Sequence, residues 1–200
     1  DQLWWVYLSL LGGGFIAMLP AMIFAEKRNA QKKMFVIAVL LMTVAMMILG
    51  IAQSTSINLS MLFVYFAAFN FLEASLPSWL SKVCPVGNRG TAMGIYSTCQ
   101  FSGTFAGGVL GGFALASLGV DGLFLLLALV LLFWCFLAFT MASPKPLQTL
   151  ILQVGETKTN EFIKSVSNIV GVEDILLIKG EDLAYIKVNK TLIAVSYTHL

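Results

Sequence analysis

One carboxylate and two amides offer this sequence most of its chemistry: Glu73, Asn70 and Gln100, all set in runs apolar enough to cross a lipid bilayer. In 65-YFAAFNFLEASLPSWLSK-82, Phe66, Asn70, Glu73 and Pro77 recur at i, i+4, i+7 and i+11 and so share one helical face. A lone ionisable residue at such depth marks a functional site facing a bundle interior or a water-filled cavity. A carboxyl that is alternately wet and dry could take up and release a proton. Asn70 could hold that carboxyl, or a substrate, by hydrogen bond. Pro77 withholds one helical hydrogen bond and permits a bend beside the acid. The bland alternative is a Glu that only bonds a neighbouring helix for packing. Gln100 lies on a polar stripe with Ser97 and Thr104 and is a candidate substrate contact.

Enzymatic chemistry finds no such foothold. The sequence has no nucleophile–base pair and no metal-ligand cluster, so the catalytic and metal expectations are both none. Cys84, Cys99 and Cys135 lack CxxC spacing and read as small apolar packing residues. The GGVLGG stretch at 107–112 is followed by no Lys-Ser/Thr and preceded by no strand, which argues against a nucleotide loop. No cofactor and no nucleic-acid partner is expected.

The elements that position these side chains follow from composition. The chain is 58% hydrophobic and only 11% charged, with a mean hydropathy of +0.89. Soluble domains carry about a quarter charged residues. Five apolar runs, 3–25, 34–53, 58–81, 91–117 and 121–142, are each long enough to cross the hydrocarbon core. No Lys or Arg falls inside them. The segment 26-EKRNAQKK-33 and the junction 82-KVCPVGNRG-90 are basic, whereas 54-STSIN-58 and 118-LGVDG-122 are not. The positive-inside rule therefore places 26–33, 82–90 and the C-terminal tail in the cytoplasm. Trp4, Trp5 and Tyr7 then fall at the outer interface.

Several residues read as architecture. Gly103, Gly107 and Gly111 recur every four residues, a spacing that lets two helix backbones approach closely. Pro20, following 12-GGG-14, marks a first span that bends or packs closely. The basic loop 26–33 sets topology, and could also bind helix ends and latch one conformation.

Beyond 143 the periodicity changes to that of a small soluble domain, 144–194. The segment 148–155 alternates as a strand with Leu150, Leu152 and Val154 on one face. Thr157 or Thr159 can cap a helix with Phe162, Ile163, Val166, Ile169 and Val170 as its apolar stripe, ended by Gly171. Strands at 172–178 and 183–189 are joined by a KGED turn, giving an incomplete βαββ version of a ferredoxin-like α+β unit. The final VSYTHL, 195–200, matches the translation of a sequencing-library adapter and is kept out of the fold. It contains His199, the sole histidine.

The stretch 70-NFLEASLPSWLSKVCPVGNRGTAMGIYSTCQFSG-103, with the five-span loop order, resembles the major facilitator superfamily of transporters. The resemblance implies a membrane all-α bundle, helices eight to twelve of twelve, followed by the small cytoplasmic domain. It implies the C-terminal part of a proton-coupled exporter of drug-like or other small solutes in a bacterial inner membrane. Its partners would be substrate, protons, the lipid bilayer and a missing N-terminal six-helix half. Glu73, Asn70 and Gln100 would serve as proton or substrate site. Glu26, Lys27 and Arg28, with Arg89 of the next inner loop, would form a conformational latch. Pro20, Pro77, Gly103, Gly107 and Gly111 would pack and bend the helices. The competing reading is a five-span membrane anchor carrying a cytoplasmic ligand-sensing or regulatory domain.

Overall fold

In lipid, each backbone polar group must be bonded within its own segment, so apolar runs of this length have little alternative to helix. The computed structural model describes residues 3–143, 147–153, 166–178 and 183–189. It contains α1 (Leu3–Lys27), α2 (Gln31–Leu49), α3 (Thr55–Val83) and α4 (Arg89–Thr140), each long and apolar enough to cross a membrane. A short 3-10 turn, Val86–Asn88, joins α3 to α4. Three strands follow: β1 (Leu147–Gln153), β2 (Val172–Ile178) and β3 (Leu183–Asn189). The chain divides into two compact units. The first takes α1, α2, α3 as far as Pro77, and α4 from Thr98; the second takes Ser78–Ser97 and the tail.

In the first unit α2 is central. Its buried residues, Phe35, Val36, Ala38, Val39, Met42, Thr43, Ala45, Met46 and Leu49, follow the i, i+3, i+4, i+7 pattern. Met46 and Leu49 form a cluster with Ala128, against which Met61, Leu62, Tyr65, Phe124 and Leu131 pack. At α1 the close approach is to α3: a Cβ on Gly14 would lie 3.1 Å from the backbone of both Phe66 and Ala67. Gly13 and Gly14 therefore pack α1 closely against α3, while the helix continues through Pro20.

Two expected loops are corrected. The stretch 55–58 is the first turn of α3, because the Ser54 carbonyl already accepts the Asn58 N–H at 3.0 Å. The connection is only Gly50–Ser54, opened by the Gly50 N–H bonding the Met46 carbonyl. The outer loop expected at 118–122 shrinks to one residue. Helix runs on both sides of Gly119, which alone departs from it, at φ 72° and ψ −175°. That conformation is essentially open only to glycine.

The break reverses the chain. Gly50, at the end of α2, lies against Asp121 and Leu125, whereas Lys32, at its start, donates from Nζ to the Phe139 carbonyl at 3.1 Å. Midway, Phe35 meets Trp134 edge-on at 5.8 Å. The segment after Gly119 thus runs antiparallel to α2 along its length. At 1.5 Å per residue the break divides roughly 78 Å of helix into lengths of about 45 Å and about 32 Å.

In the second unit the sheet order is β1-β3-β2, with β3 antiparallel to both neighbours. The strand expected at 148–155 is described as 147–153, and those at 172–178 and 183–189 lie where the alternation puts them. Ala184, Ile186 and Val188 of β3 are buried with Val166, and Val172, Ile175 and Leu177 pack against them. Ile169 and Val170, expected on the apolar stripe of a tail helix, are 51% and 79% exposed. The reason is local. Helix ends at Ser167, and the chain turns through Gly171 at φ 106° into β2, so helical periodicity no longer applies. Thr157, Thr159, Phe162, Ile163, Val154, the KGED turn and the terminal VSYTHL lie outside the described residues.

Gly119→Ala is expected to lower the thermal unfolding midpoint in detergent by the equivalent of about 1–3 kcal/mol. Gly12→Ala, which would meet no atom within 4 Å and needs no positive φ, serves as control. Equal midpoints for both variants would show that the break does not depend on the glycine-only conformation.

Candidate functional site

Glu73 and Gln100 stand on consecutive helices, and the short turn between α3 and α4 brings them together. The Gln100 Nε2 donates to Glu73 Oε1 at 2.5 Å. Gln100 lies about as far into α4 as Glu73 lies from the end of α3, so the hydrogen bond closes an antiparallel pair of helices at matching depth. Glu73 stays exposed on its other side and Gln100 is half-buried.

Asn70 does something different from holding the carboxyl. Its Nδ2 donates to the Phe66 carbonyl one turn earlier, at 2.8 Å. Thr104 likewise returns its hydroxyl to the Gln100 carbonyl at 2.9 Å. Such i−4 back-bonding satisfies the side chain inside its own helix. Pro77 acts on the acid itself. A proline has no N–H, and the carbonyl it leaves without an i−4 partner is that of Glu73. Residue 73 therefore offers a carboxylate and, at the same level of α3, a carbonyl that lacks its usual i+4 donor.

The remaining site residues are dispersed. Glu26, Lys27 and Arg28 are exposed at the end of α1, where the Arg28 guanidinium lies 4.8 Å from the Phe24 ring centroid. Arg89 opens α4 and belongs to the second unit. Side chains built at Gly103, Gly107 and Gly111 would meet no atom within 4 Å, so among the described residues no helix lies against this glycine seam. Nearby Phe105 and Phe113 are about three-quarters exposed.

Two lysines were read only as charges or not singled out. Lys32 caps the end of α4 through the Phe139 carbonyl; the preference of lysine for the last carbonyls of a helix was the available signal. Lys187 is buried at 4% exposure. A charged residue set between Ile186 and Val188 could have drawn notice.

With an intramembrane acid and amide paired across two helices of a multi-span chain, the comparisons decide the family. The model of the Major Facilitator Superfamily matches residues 2–186. The chain belongs to that superfamily. It is 36% identical to the inner membrane transport protein YajR of Escherichia coli (strain K12), over 93% of this chain and 42% of that protein. It is 32% identical to the uncharacterized transporter BU466 of Buchnera aphidicola subsp. Acyrthosiphon pisum (strain APS), over 54% of this chain and 28% of that protein. A third match is to an uncharacterized transporter of Buchnera aphidicola subsp. Baizongia pistaciae (strain Bp), 45% identical over 24% of this chain and 12% of that protein. The chain spans less than half the length of these curated relatives.

If the two polar side chains act as a pair, Gln100→Leu should lower the unfolding midpoint by the equivalent of about 1 kcal/mol, the scale of interhelical hydrogen bonds in membranes. Asn70→Leu, which breaks only a bond within α3, should cost less. The reverse order in detergent melting curves would mean that Asn70, not Gln100, supports the acid.

Proposed function

We propose that this chain supplies the C-terminal helices of a proton-coupled secondary transporter. It exports drug-like or other small solutes by alternating access between two six-helix halves. The observation that carries the reading is the Gln100–Glu73 hydrogen bond within two apolar helices. A glutamine amide both donates and accepts. It can donate to the carboxylate and, after a rotation, accept from the protonated acid, so Glu73 keeps a partner in both states. That property suits a site which loads and unloads a proton. The open side of Glu73 is then available to water, substrate or the other half.

The unpartnered seam of Gly103, Gly107 and Gly111 supports a further helix surface as partner, and the N-terminal six-helix half is the one proposed. In this reading the segments on either side of Gly119 are separate crossings, giving five. The basic stretches 26–33 and 82–90 and the tail face the cytoplasm of a bacterial inner membrane. Glu26, Lys27, Arg28 and Arg89 contribute a conformational latch there. The tail is the start of a ferredoxin-like unit with a regulatory or assembly role. Strand order supports this: β1 and β2 are parallel with β3 inserted between them, the order that a split βαβ would have.

Glu73→Gln in the intact parent should leave a folded, inserted protein whose flux loses most of its dependence on a proton gradient. Flux in reconstituted vesicles decides this. An unaltered pH profile would remove Glu73 from coupling and leave it structural. Failure of the unaltered parent to move any solute would favour the membrane anchor with a sensing domain.

A further inference from the structure

The tail sheet has two faces, and only one is explained by its own core. Ala184, Ile186 and Val188 point into the cluster around Val166. Lys187, between them, lies on the other face, and yet is also buried. Its Nζ donates to the carbonyl of Cys84, the residue that follows α3. On that same face Leu176, the cross-strand partner of Tyr185, approaches the 3-10 turn: a Cβ on Gly87 would lie 3.5 Å from its Cδ1. Asp174 is paired in register with Lys187, which sets an opposite charge across the ladder. Cys84 is itself buried.

These observations fit together electrostatically. An ammonium taken out of water is costly unless it is paired and hydrogen-bonded. The carbonyls at a helix C-terminus carry the negative end of its dipole and favour a cation. Lys187 therefore has a reason to sit at the end of α3 that an apolar residue would lack. The contact differs from a permanent apolar staple, because ammonium and carbonyl both regain water when they part.

We propose that the second face of the tail sheet is a reversible clamp on the α3–α4 turn, with Lys187 as its bolt and Leu176 as its apolar seat. α3 and α4 are the helices that carry Glu73 and Gln100. A tail that grips their connection restricts how the pair of helices can shift, and a tail that lets go frees it. This deepens the regulatory role proposed for the tail and rests on it. The contact can be read without transport, so its failure is distinguishable from failure of the transport reading.

Cys84 is a built-in reporter. In the full chain in detergent, with Cys99→Ser and Cys135→Ala as background, a hydrophilic maleimide should label Cys84 slowly. Lys187→Met should raise the rate about tenfold or more, while amide exchange of β1, β2 and β3 stays slow. If Lys187→Met also opens the sheet, Gly87→Trp decides, since it crowds Leu176 from the turn and leaves the sheet's own core untouched. Faster labelling with an intact sheet supports the clamp. It is overturned if Cys84 of the background chain labels as fast as after unfolding in dodecyl sulfate. It is equally overturned if the deciding variant labels at the background rate.

Discussion

A carboxylate cannot be left bare in hydrocarbon, and Glu73 obtains its donor from Gln100 on the next helix. Much of the surrounding structure follows from that requirement. For the two side chains to meet, α3 and α4 must be joined tightly, which a 3-10 turn of three residues accomplishes. They must also run antiparallel with matched depth. Pro77 then makes the same residue a double site, because the proline that follows one turn later leaves the Glu73 carbonyl without its helical partner. The acid is thus placed where Pro77 removes one of the helix's own hydrogen bonds.

The helix positions and all three strands are legible in the sequence, because lipid and sheet each impose a period that the residues obey. The places where the sequence misled are those where one local interaction overrides the period. At 118–122 the expected loop is the gap between two apolar runs, 118-LGVDG-122, which carries no basic residue. One glycine in a conformation closed to other residues performs the whole reversal, and helix fills the rest. At the start of α3, Ser54 accepts the first helical bond, so Thr55, Ser56, Ile57 and Asn58 join the helix although they resemble a loop. In the tail, the apolar character of Ile169 and Val170 suggested a helical stripe, but the turn toward Gly171 takes them out of register.

Of the candidate site, the residue types were readable and the pairing was not. Spacing put Asn70 beside Glu73 on one face, and the obvious guess joined them. A residue four positions after a carbonyl on the same helix has a nearer acceptor, however, and Asn70 takes it. Gln100 was visible as polar, yet its partner depended on the length of the α3–α4 turn. Lys187 was harder still. Its role depends on a turn 103 residues earlier in the chain, and no local pattern carries that information.

The glycines show how composition alone underdetermines packing. Gly14 is favoured by the α3 backbone, which a side-chain Cβ would meet at 3.1 Å, tighter than ordinary van der Waals contact. Gly119 is required by its dihedral angles rather than by space, since nothing lies within 4 Å of it. Among the described residues Gly103, Gly107 and Gly111 are required by neither, although they recur at a regular spacing of four. A regular small-residue seam on a helix whose flanking aromatics are exposed is costly in helix propensity and gains nothing without a partner. The partner helix surface proposed for them would supply their physical justification. This sets them apart from Gly14 and Gly119, whose reasons are complete within the first unit.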